Sequence, residues 1–517
     1  MKRLIAIMLV ILVCISLLAG CTGNGQTDVI SAVFSVGFGQ IDITPTESVP
    51  MDGYDGANSP ANRWSKSTEL PLEANCVAFS DVKGATVLLI TLDLLHAYNA
   101  LEDTIRSEIA KETDVPKENI FLHCTHNHSG PALRGADYDQ VTNYLAHLMD
   151  NVTIAVKNAL DDRKPAQMYT TFTRPENCSF VRHYLLSDGT YLSSPGSKLP
   201  EGTTYYGQAT NPDNLLQLVK FTRDGGKDVV MVNWQGHPCA SIDKSVINSD
   251  YPGALRDYLE TNLNCDAVFI LGGSGNMVTT TLLPETKQYA DYRQYAQVLG
   301  TAAVEATTRF MQHTPKELSV TNKELSLETR DGGVRKMQFS AFSVGDFAMV
   351  TAPLETFDTN AVTVKENSPY LMTFYASCTN GSNGYLPTAD CYDWQQNYEA
   401  RITNFPRGTS EIVQDTQLTI LNDLFEQEGR AESEKPDDYV RGAYLPQSDG
   451  VTYENPAVGS AMTLQPLNNG FYSILLSDGN HYKTYMIKNE EVANEIIALD
   501  KMQLLFDESN VVVGVVK

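Results

Sequence analysis

Three histidines occur at positions 123, 126 and 128, in a chain of 517 residues that contains nine histidines in all. They follow the apolar residues Ile120–Leu122 and precede Ser129–Pro131, so this segment is interpreted as the end of a short buried strand. Neutral imidazole is a common ligand for zinc. Residues two apart on an extended segment point the same way, which predicts that His126 and His128 face one pocket. A surface loop with incidental histidines is the alternative, but a His-Asn-His cluster at a strand end favours a site.

Polar side chains follow other apolar strands of the chain in the same way. The predicted strand Val229–Trp234 runs into Gln-Gly-His-Pro, which contains His237. The predicted strand Asp346–Val350 runs into Thr-Ala-Pro-Leu-Glu, which ends at Glu355. Ligands of open α/β sheets bind beyond the strand ends, so we expect these loops to converge.

Apolar periodicity supplies the elements that would position these loops. Residues of Gln140–Asp162 recur at three- and four-residue steps, which predicts an amphipathic helix. Further helices are predicted at Ala100–Glu112, Tyr251–Leu263 and Thr286–Met311, and further strands at Val33–Pro50, Ala85–Leu95, Gln167–Arg174, Leu216–Thr222 and Ala267–Leu271. This alternation predicts an α/β catalytic domain with a mixed sheet and helices.

The composition changes near the C-terminal end. Residues 426–438 are highly charged and poor in apolar side chains, so we interpret them as a linker. The catalytic domain is therefore placed at 33–425. Residues 439–517 alternate short β-like runs with turns, which predicts a small β-rich domain.

The N-terminus has the features of a bacterial lipoprotein signal. Lys2 and Arg3 precede the apolar run Leu4–Leu18, and Ala19-Gly20 precede Cys21. Residues 1–21 are interpreted as the signal peptide, Cys21 as the lipidated residue and 22–32 as a polar tether. This predicts an extracytoplasmic protein anchored by lipid to a bacterial membrane. An ordinary secretory signal with a chance cysteine is the alternative.

Charge and cysteine content narrow the functional class. The formal net charge of −25 argues against nucleic acid as a partner. Seven cysteines remain beyond Cys14 and Cys21, an odd number without Cys-x-x-Cys spacing, so they do not form a disulfide framework. Cys378 and Cys391 bracket a Gly/Asn-rich loop and could pair.

Several motifs together resemble the neutral, or non-lysosomal, ceramidase family. They are VGFGQIDITP with MDGY, THNHSGPAL, NWQGHP, INSDYPGAL, GGSGN, APLETF and GYLPTADCYDWQQNYEA, and they run in family order from about Val36 to about Ala400. The resemblance implies a zinc-dependent amidase that uses metal-activated water on a ceramide-like N-acyl lipid.

The resemblance also implies roles for single residues. Carried over by motif, the zinc ligands are His126, His237, Glu355 and Tyr385. Two imidazoles and a carboxylate suit a catalytic zinc site, whereas a phenol ligand has only the resemblance behind it. The catalytic residues are His128, which faces the reaction centre, Tyr398, which polarises the scissile carbonyl, and Arg182. The alternatives are a solvated carboxylate for Glu355, a loop aromatic for Tyr385 and a surface charge for Arg182.

One position departs from the family pattern. Val278, in Gly275–Thr279, occupies the place of a serine proposed to act at the zinc, and Asn276 replaces an aspartate. Valine can neither attack nor donate a hydrogen bond. Two alternatives therefore remain: a surface lipoprotein that binds a lipid or glycan without turnover, and a metal-dependent esterase or amidase with a different substrate.

Overall fold

The structure is a computed structural model that describes residues 33–54, 63–134, 138–194, 198–284, 286, 288–315, 317–394, 397–430, 435, 439, 446–455, 464–479 and 481–516. The proposed signal peptide and the tether lie outside these ranges, as do most residues of the proposed linker. None of the helices in the described ranges is both long and apolar enough to cross a bilayer.

The helices within these ranges are α1 (Asn99–Thr113), α2 (Asp139–Asp161), α3 (Asp250–Leu263), α4 (Tyr292–Ala306), α5 (Asp358–Asn367), α6 (Tyr398–Ile402), α7 (Thr409–Gln427) and α8 (Glu490–Ile497). The predicted helix at Thr286–Met311 is too long at both ends. Asp291 begins α4 as an N-cap whose side chain accepts a hydrogen bond from the Gln294 backbone, and the turn after Ala306 is a 3₁₀ segment.

The first half of the chain forms a large mixed sheet and several short ribbons. The strands are β1 (Ser35–Asp42), β2 (Ser67–Thr68), β3 (Glu73–Ser80), β4 (Thr86–Leu92), β5 (Ile120–Cys124), β6 (Lys164–Thr173), β7 (Phe180–Val181), β8 (His183–Leu186), β9 (Tyr191–Ser193), β10 (Tyr205–Gln208), β11 (Leu216–Arg223), β12 (Asp228–Trp234), β13 (Val246–Ile247), β14 (Cys265–Leu271), β15 (Met277–Val278) and β16 (Met311–His313). The large sheet has the order β14-β12-β11-β6-β1-β3-β4-β5, and β16 pairs with β6. The terminal pairs β4–β5 and β12–β14 are parallel.

The second half adds a four-stranded sheet, a six-stranded sheet and a two-stranded ribbon. The strands are β17 (Leu318–Glu328), β18 (Val334–Val344), β19 (Phe347–Thr351), β20 (Glu355–Thr356), β21 (Met372–Ala376), β22 (Tyr385–Leu386), β23 (Gln447–Glu454), β24 (Leu464–Pro466), β25 (Tyr472–Ser477), β26 (Tyr482–Ile487), β27 (Lys501–Phe506) and β28 (Val512–Val516). Strands β17-β18-β19-β21 form the four-stranded sheet, β20 and β22 form the ribbon, and β23 to β28 form a separate six-stranded sheet that packs against α8.

The core has four layers. Helices α1 to α4 cover the outer face of the large sheet, as shown by the apolar clusters of Ile105 with Leu148 and of Leu255 with Leu299. The inner face packs against the four-stranded sheet. Helices α5 and α7 cover the far side of that second sheet. The predicted α/β class with a mixed sheet is thus confirmed.

The segment after β21 joins the two edges of the large sheet. The Ser377 N–H donates to the Leu271 carbonyl of β14, and the Cys124 N–H of β5 donates to the Cys378 carbonyl. The Asn380 N–H donates to the Leu122 carbonyl of β5. The carboxyl ends of β5 and β14, at opposite edges of the sheet, therefore lie side by side.

Candidate metal centre

The loop after β5 carries two of the predicted site histidines, but not through strand alternation. Strand β5 ends at Cys124, and His126 has a φ of +63°, so the extended geometry used for the prediction was wrong. The left-handed residue turns the loop, and the Asn127 side chain accepts a hydrogen bond from the Ser129 N–H at 2.9 Å. The rings of His126 and His128 nevertheless lie 5.2 Å apart, facing one site.

His123, the first histidine of the cluster, is a structural residue. It is fully buried, its Nδ1 lies 2.8 Å from the Thr379 hydroxyl, and its Nε2 accepts a hydrogen bond from the Leu271 N–H at 3.0 Å. Both ring nitrogens are therefore used in joining β5 to β14 through the segment that follows β21.

His237 reaches the same site from the end of β12. Its Nδ1–H donates to the Ser274 carbonyl at 3.0 Å, which directs Nε2 into the site. The start of α3 supports this loop, because the Asp250 carboxylate accepts a hydrogen bond from the Ser241 N–H and the Tyr251 hydroxyl donates to the Gly236 carbonyl. Asp250 and Tyr251 belong to the INSDYPGAL motif, but their supporting role was not predicted from the sequence.

The three imidazoles form a compact group that could hold a metal ion. Ligand atoms of His126, His128 and His237 all lie within 4.8 Å of one another. The Nε2 atoms of His128 and His237 are 2.9 Å apart. The family resemblance implies that His126 and His237 are metal ligands and that His128 faces the reaction centre. In the structure all three rings lie together, so His128 is close enough to be a ligand as well.

Glu355 and Tyr385 enter the site on a short parallel ribbon. They are register partners in the pairing of β20 with β22. Glu355 Oε2 lies 3.1 Å from His126 Nε2. His126 uses its Nδ1–H to donate to the Leu95 carbonyl at 2.8 Å, so Nε2 is the ring nitrogen that faces the carboxylate. Neither of these two buried atoms has a hydrogen-bond partner of acceptable geometry, and a cation between them would satisfy both.

The electrostatics differ among the imidazoles of the site. Burial opposes protonation of His126, but the neighbouring Cys378 and Glu355 outweigh it and raise the pKa of His126 well above its ordinary value. Burial lowers the pKa of His237 to about 3, helped by the charges of His126 and Arg182. Burial, with His237 and His126 nearby, also holds the pKa of His128 well below its ordinary value. Burial opposes ionisation of Glu355, but the neighbouring His126 outweighs it and lowers the pKa of that carboxyl. His237 and His128 therefore face the site as neutral imidazoles and Glu355 as a carboxylate, and a cation that binds His126 must displace its proton.

Arg182 lies in the site, with its charge balanced by a buried carboxylate. Its Nε is 2.5 Å from Glu399 Oε1, and an Nη atom donates to the Gly275 carbonyl at 2.6 Å. The guanidinium lies 5.3 Å from the Tyr385 ring centroid and 5.7 Å from that of Tyr398. Glu399 also pairs with His183 Nε2 at 2.8 Å. Sequence reasoning missed Glu399, although it directly follows Tyr398.

The candidate metal site opens into two lobes of one cleft. The smaller lobe, of about 410 Å³, has His237, Arg182 and Val278 among its lining residues. The larger lobe, of about 570 Å³, has His126 and Glu355 among its lining residues. Residues that border both lobes are Gly53, Tyr54, His128, Tyr385 and Tyr398. An extended substrate with its reacting bond at the centre could fill both lobes.

The two residues that depart from the family pattern have different surroundings. Val278, on β15, lines the smaller lobe beside Thr280 and Thr281. Asn276 is buried away from the centre, where its amide donates to Asp358 Oδ1 at 2.7 Å and its carbonyl accepts from the Asp358 N–H at 2.9 Å. Asn276 therefore joins the glycine-rich loop to α5.

Cys378 and Cys391 do not pair in the structure, where both are free thiols. Cys378 Sγ lies 3.5 Å from His126 Nδ1, behind the ring of that candidate ligand. Cys391 Sγ instead lies 3.2 Å from the Thr388 hydroxyl. The loop between them carries the two thiols to different environments.

Comparison with known proteins supports the fold. No family model and no curated protein matches the chain. The neutral ceramidase from Pseudomonas aeruginosa superposes with a TM-score of 0.61 at 15% identity, over 86% of this chain and 84% of that one. A ceramidase complexed with C2 superposes with a TM-score of 0.62 at 13% identity, over 94% of this chain and 92% of that one. The expected likeness to neutral ceramidases is thus confirmed at the level of fold.

Proposed function

We propose that the protein is a metal-dependent hydrolase that cleaves the amide bond of a ceramide-like N-acyl lipid. The observation that carries this proposal is the convergence of His126, His128, His237 and Glu355 in a cleft of the ceramidase fold. The two solved structures described above are both ceramidases.

The residues present fit zinc as the metal. His126 and His237 would bind through Nε2 and Glu355 through Oε2, and the family resemblance adds Tyr385 as a fourth ligand. Zinc at such a site supplies Lewis acidity, which polarises a carbonyl and lowers the pKa of water. The carbonyl oxygens of Leu95 and Ser274 orient the two imidazoles by accepting their Nδ1 hydrogens.

Other groups of the chain would act on the substrate directly. Tyr398 borders both lobes, so its hydroxyl can donate a hydrogen bond to the scissile carbonyl oxygen. Arg182 adds positive charge beside that phenol. His128, which burial keeps neutral by lowering its pKa, has a free ring nitrogen that can take a proton from the attacking water and deliver it to the leaving amine.

The test is metal analysis of the purified protein together with hydrolysis of a fluorescent ceramide. We expect about one zinc per chain, and loss of both zinc and activity in a double His126→Ala, His237→Ala variant. His481→Ala, at an exposed position in the turn before β26, is the matched control. A protein without zinc, or a double variant with full activity, would contradict the proposal.

One observation favours a different substrate or a binding function. Val278 presents an aliphatic group where a hydroxyl is expected, so the smaller lobe is more apolar at that point. Hydrolysis of other amides or of esters, with ceramide untouched, would support a related esterase or amidase. Zinc at full occupancy with no turnover across N-acyl lipids, amides and esters would support a non-catalytic lipid- or glycan-binding lipoprotein.

We also propose that lipidation at Cys21 holds the protein on the outer side of a bacterial membrane, where a lipid substrate is within reach. Cys21→Ser is expected to move the full-length protein from the membrane fraction to the soluble fraction of the producing cell. Retention in the membrane fraction would contradict the anchor.

A further inference from the structure

Basic side chains gather in the cleft although the whole chain has a net charge of −25. Arg134 and Arg335 line the larger lobe, and Lys244 and Arg182 line the smaller one. The acidic residues among the described lining residues are Asp52 and Glu355, and Glu355 belongs to the metal centre. Glu399 balances the charge of Arg182, but Arg134, Arg335 and Lys244 still outnumber the one lining carboxylate outside the metal centre, Asp52, and such an excess concentrates anions.

Arg134 is held in the larger lobe by aromatic stacking. Its guanidinium lies 4.4 Å from the centroid of the Tyr98 ring, which itself lies 4.5 Å from the His96 ring. Asp52 Oδ2 is 3.9 Å from Arg134 Nε, and the Tyr98 hydroxyl donates to that same oxygen at 2.8 Å. Asp52 Oδ2 is thus shared between Arg134 and the Tyr98 hydroxyl. The guanidinium of Arg134 therefore has further N–H groups that can bind another anion.

Arg335 is the second cation of this lobe. It lies on β18 and is exposed, and within the described part of the chain no carboxylate lies within ion-pair distance of it. Asp331 lies on the same hairpin, and the charge of Arg335 is one of the causes that lower the pKa of Asp331, but Asp331 does not line the lobe. Arg335 is therefore available to a ligand that enters from solvent.

Arg134 and Arg335 would bind an anion in the larger lobe, apart from the metal centre. The rings of Tyr98 and His96 separate Arg134 from His126, whose ring lies 6.2 Å from that of His96. An anion bound by Arg134 and Arg335 would not displace a group from the metal centre. It would instead belong to the part of the substrate that extends into the larger lobe.

From this geometry we propose that the preferred substrate is an N-acyl amine whose amine portion carries an anionic group, bound by Arg134 and Arg335. A carboxylate, a sulfonate or a phosphate shares this chemistry. The acyl chain then lies in the smaller lobe, against Val278, Leu282 and Tyr184. This inference rests on the proposed amide hydrolysis and adds the charge of the substrate.

A matched substrate series tests the charge alone. The same fluorescent acyl chain is attached to ethanolamine, β-alanine, taurine or phosphoethanolamine, which end in a hydroxyl, a carboxylate, a sulfonate and a phosphate. We expect kcat/KM to be at least about tenfold higher for the anionic members than for the neutral one. The advantage should shrink as ionic strength rises, since salt screens an open site. The best of the three anionic members identifies the source of the charge.

Two variants locate the effect. Arg134→Gln with Arg335→Gln should bring the ratio of anionic to neutral kcat/KM close to one, and Arg335→Gln alone should lower it partway. Lys336→Gln is the control, because Lys336 neighbours Arg335 but pairs with Glu324 at 2.7 Å outside the cleft. A wild-type ratio of one or less, or a ratio unchanged in the double variant, would overturn the inference.

Binding separates this inference from the proposed hydrolysis. The same four compounds are titrated calorimetrically against wild-type protein and the double variant. If none is hydrolysed, the amidase proposal fails, and tighter binding of the anionic members that is lost in the double variant still supports the charge preference. Equal binding of neutral and anionic members would overturn the charge preference whether or not they are hydrolysed.

Discussion

The Nε2 atoms of His128 and His237 lie 2.9 Å apart, although the two residues are 109 positions apart in the chain. His237 donates its Nδ1 hydrogen to the Ser274 carbonyl, so its Nε2 carries a lone pair. Two imidazole lone pairs cannot face each other at this distance without a hydrogen or a cation between them. His237 uses the same Nε2 atom for this contact and for the proposed metal bond, so replacing His237 is the most direct test of the site.

His237→Ala and His126→Ala are each expected to lower zinc affinity by about tenfold or more, since each removes one imidazole from the group. Wild-type protein should gain several degrees of Tm on adding zinc after chelation, because the metal binds only the folded state. The single variants should gain little. Calorimetry with and without zinc measures this, and a full zinc-dependent rise in Tm in either variant would contradict the assigned ligands.

Tyr385 and Tyr398 are expected to separate metal binding from turnover. Their rings are 5.9 Å apart, but Tyr385 is the register partner of Glu355, whereas Tyr398 begins α6. Tyr385→Phe should weaken zinc binding. Tyr398→Phe should leave zinc bound and lower kcat by about 100-fold, as loss of a carbonyl donor does. Zinc titrations and steady-state kinetics on both variants check this, and exchanged phenotypes would contradict the assignment.

Gly53→Ala is expected to disturb His128. Gly53 has a φ of +117°, and a Cβ there would lie 2.9 Å from His128 Cα and 3.0 Å from its Cγ. The backbone strain should cost about 1–3 kcal/mol of unfolding free energy, and the displaced imidazole should lower activity as well.

Gly84→Ala is the matched control for this prediction. Gly84 also has a positive φ, of +88°, but a Cβ there would meet nothing within 4 Å. It should therefore lose stability without losing activity, as measured by urea unfolding and kinetics. Full activity in Gly53→Ala would show that the close approach to His128 does not position the ring.

Glu399→Gln should destabilise the protein in a pH-dependent way. Burial opposes ionisation of Glu399, but Arg182 and His183 lower its pKa to about 2. A carboxyl whose pKa is lower in the folded state contributes stability that is complete above its unfolded pKa of about 4.5 and is lost as the pH falls towards 2. The variant also leaves the Arg182 charge buried, so we expect a loss of roughly 3 kcal/mol at pH 7.

Urea unfolding of wild type and Glu399→Gln at pH 7 and pH 3.5 measures this difference. The gap in unfolding free energy should be smaller at the lower pH. Glu324→Gln, in an exposed pair with Lys336, should change stability by less than about 0.5 kcal/mol at either pH. A gap that is constant with pH would show that Glu399 is not ionised by its partners.

Several features of this protein follow from local sequence. The apolar spacing of Gln140–Asp162 predicts α2 to within one residue at each end, because one buried face is enough to determine an amphipathic helix. The runs that become β4, β12 and β14 are equally clear, since continuous apolar residues suit strands covered on both faces. The polar residues after β5 and β12 mark out the loops of the metal centre.

Tertiary structure decided which of those residues meet. The sequence alone does not distinguish His123 from His126 as a site residue. In the structure the ring of His123 joins two strands, whereas the left-handed backbone of His126 turns the chain into the site. Glu399 acts through Arg182 and His183, which are distant from it in sequence. Local sequence restricts φ, ψ and burial. The meeting of β5 and β14 depends instead on how two sheets pack and on the segment Ser377–Asn380 between their edges, so only the folded chain determines it.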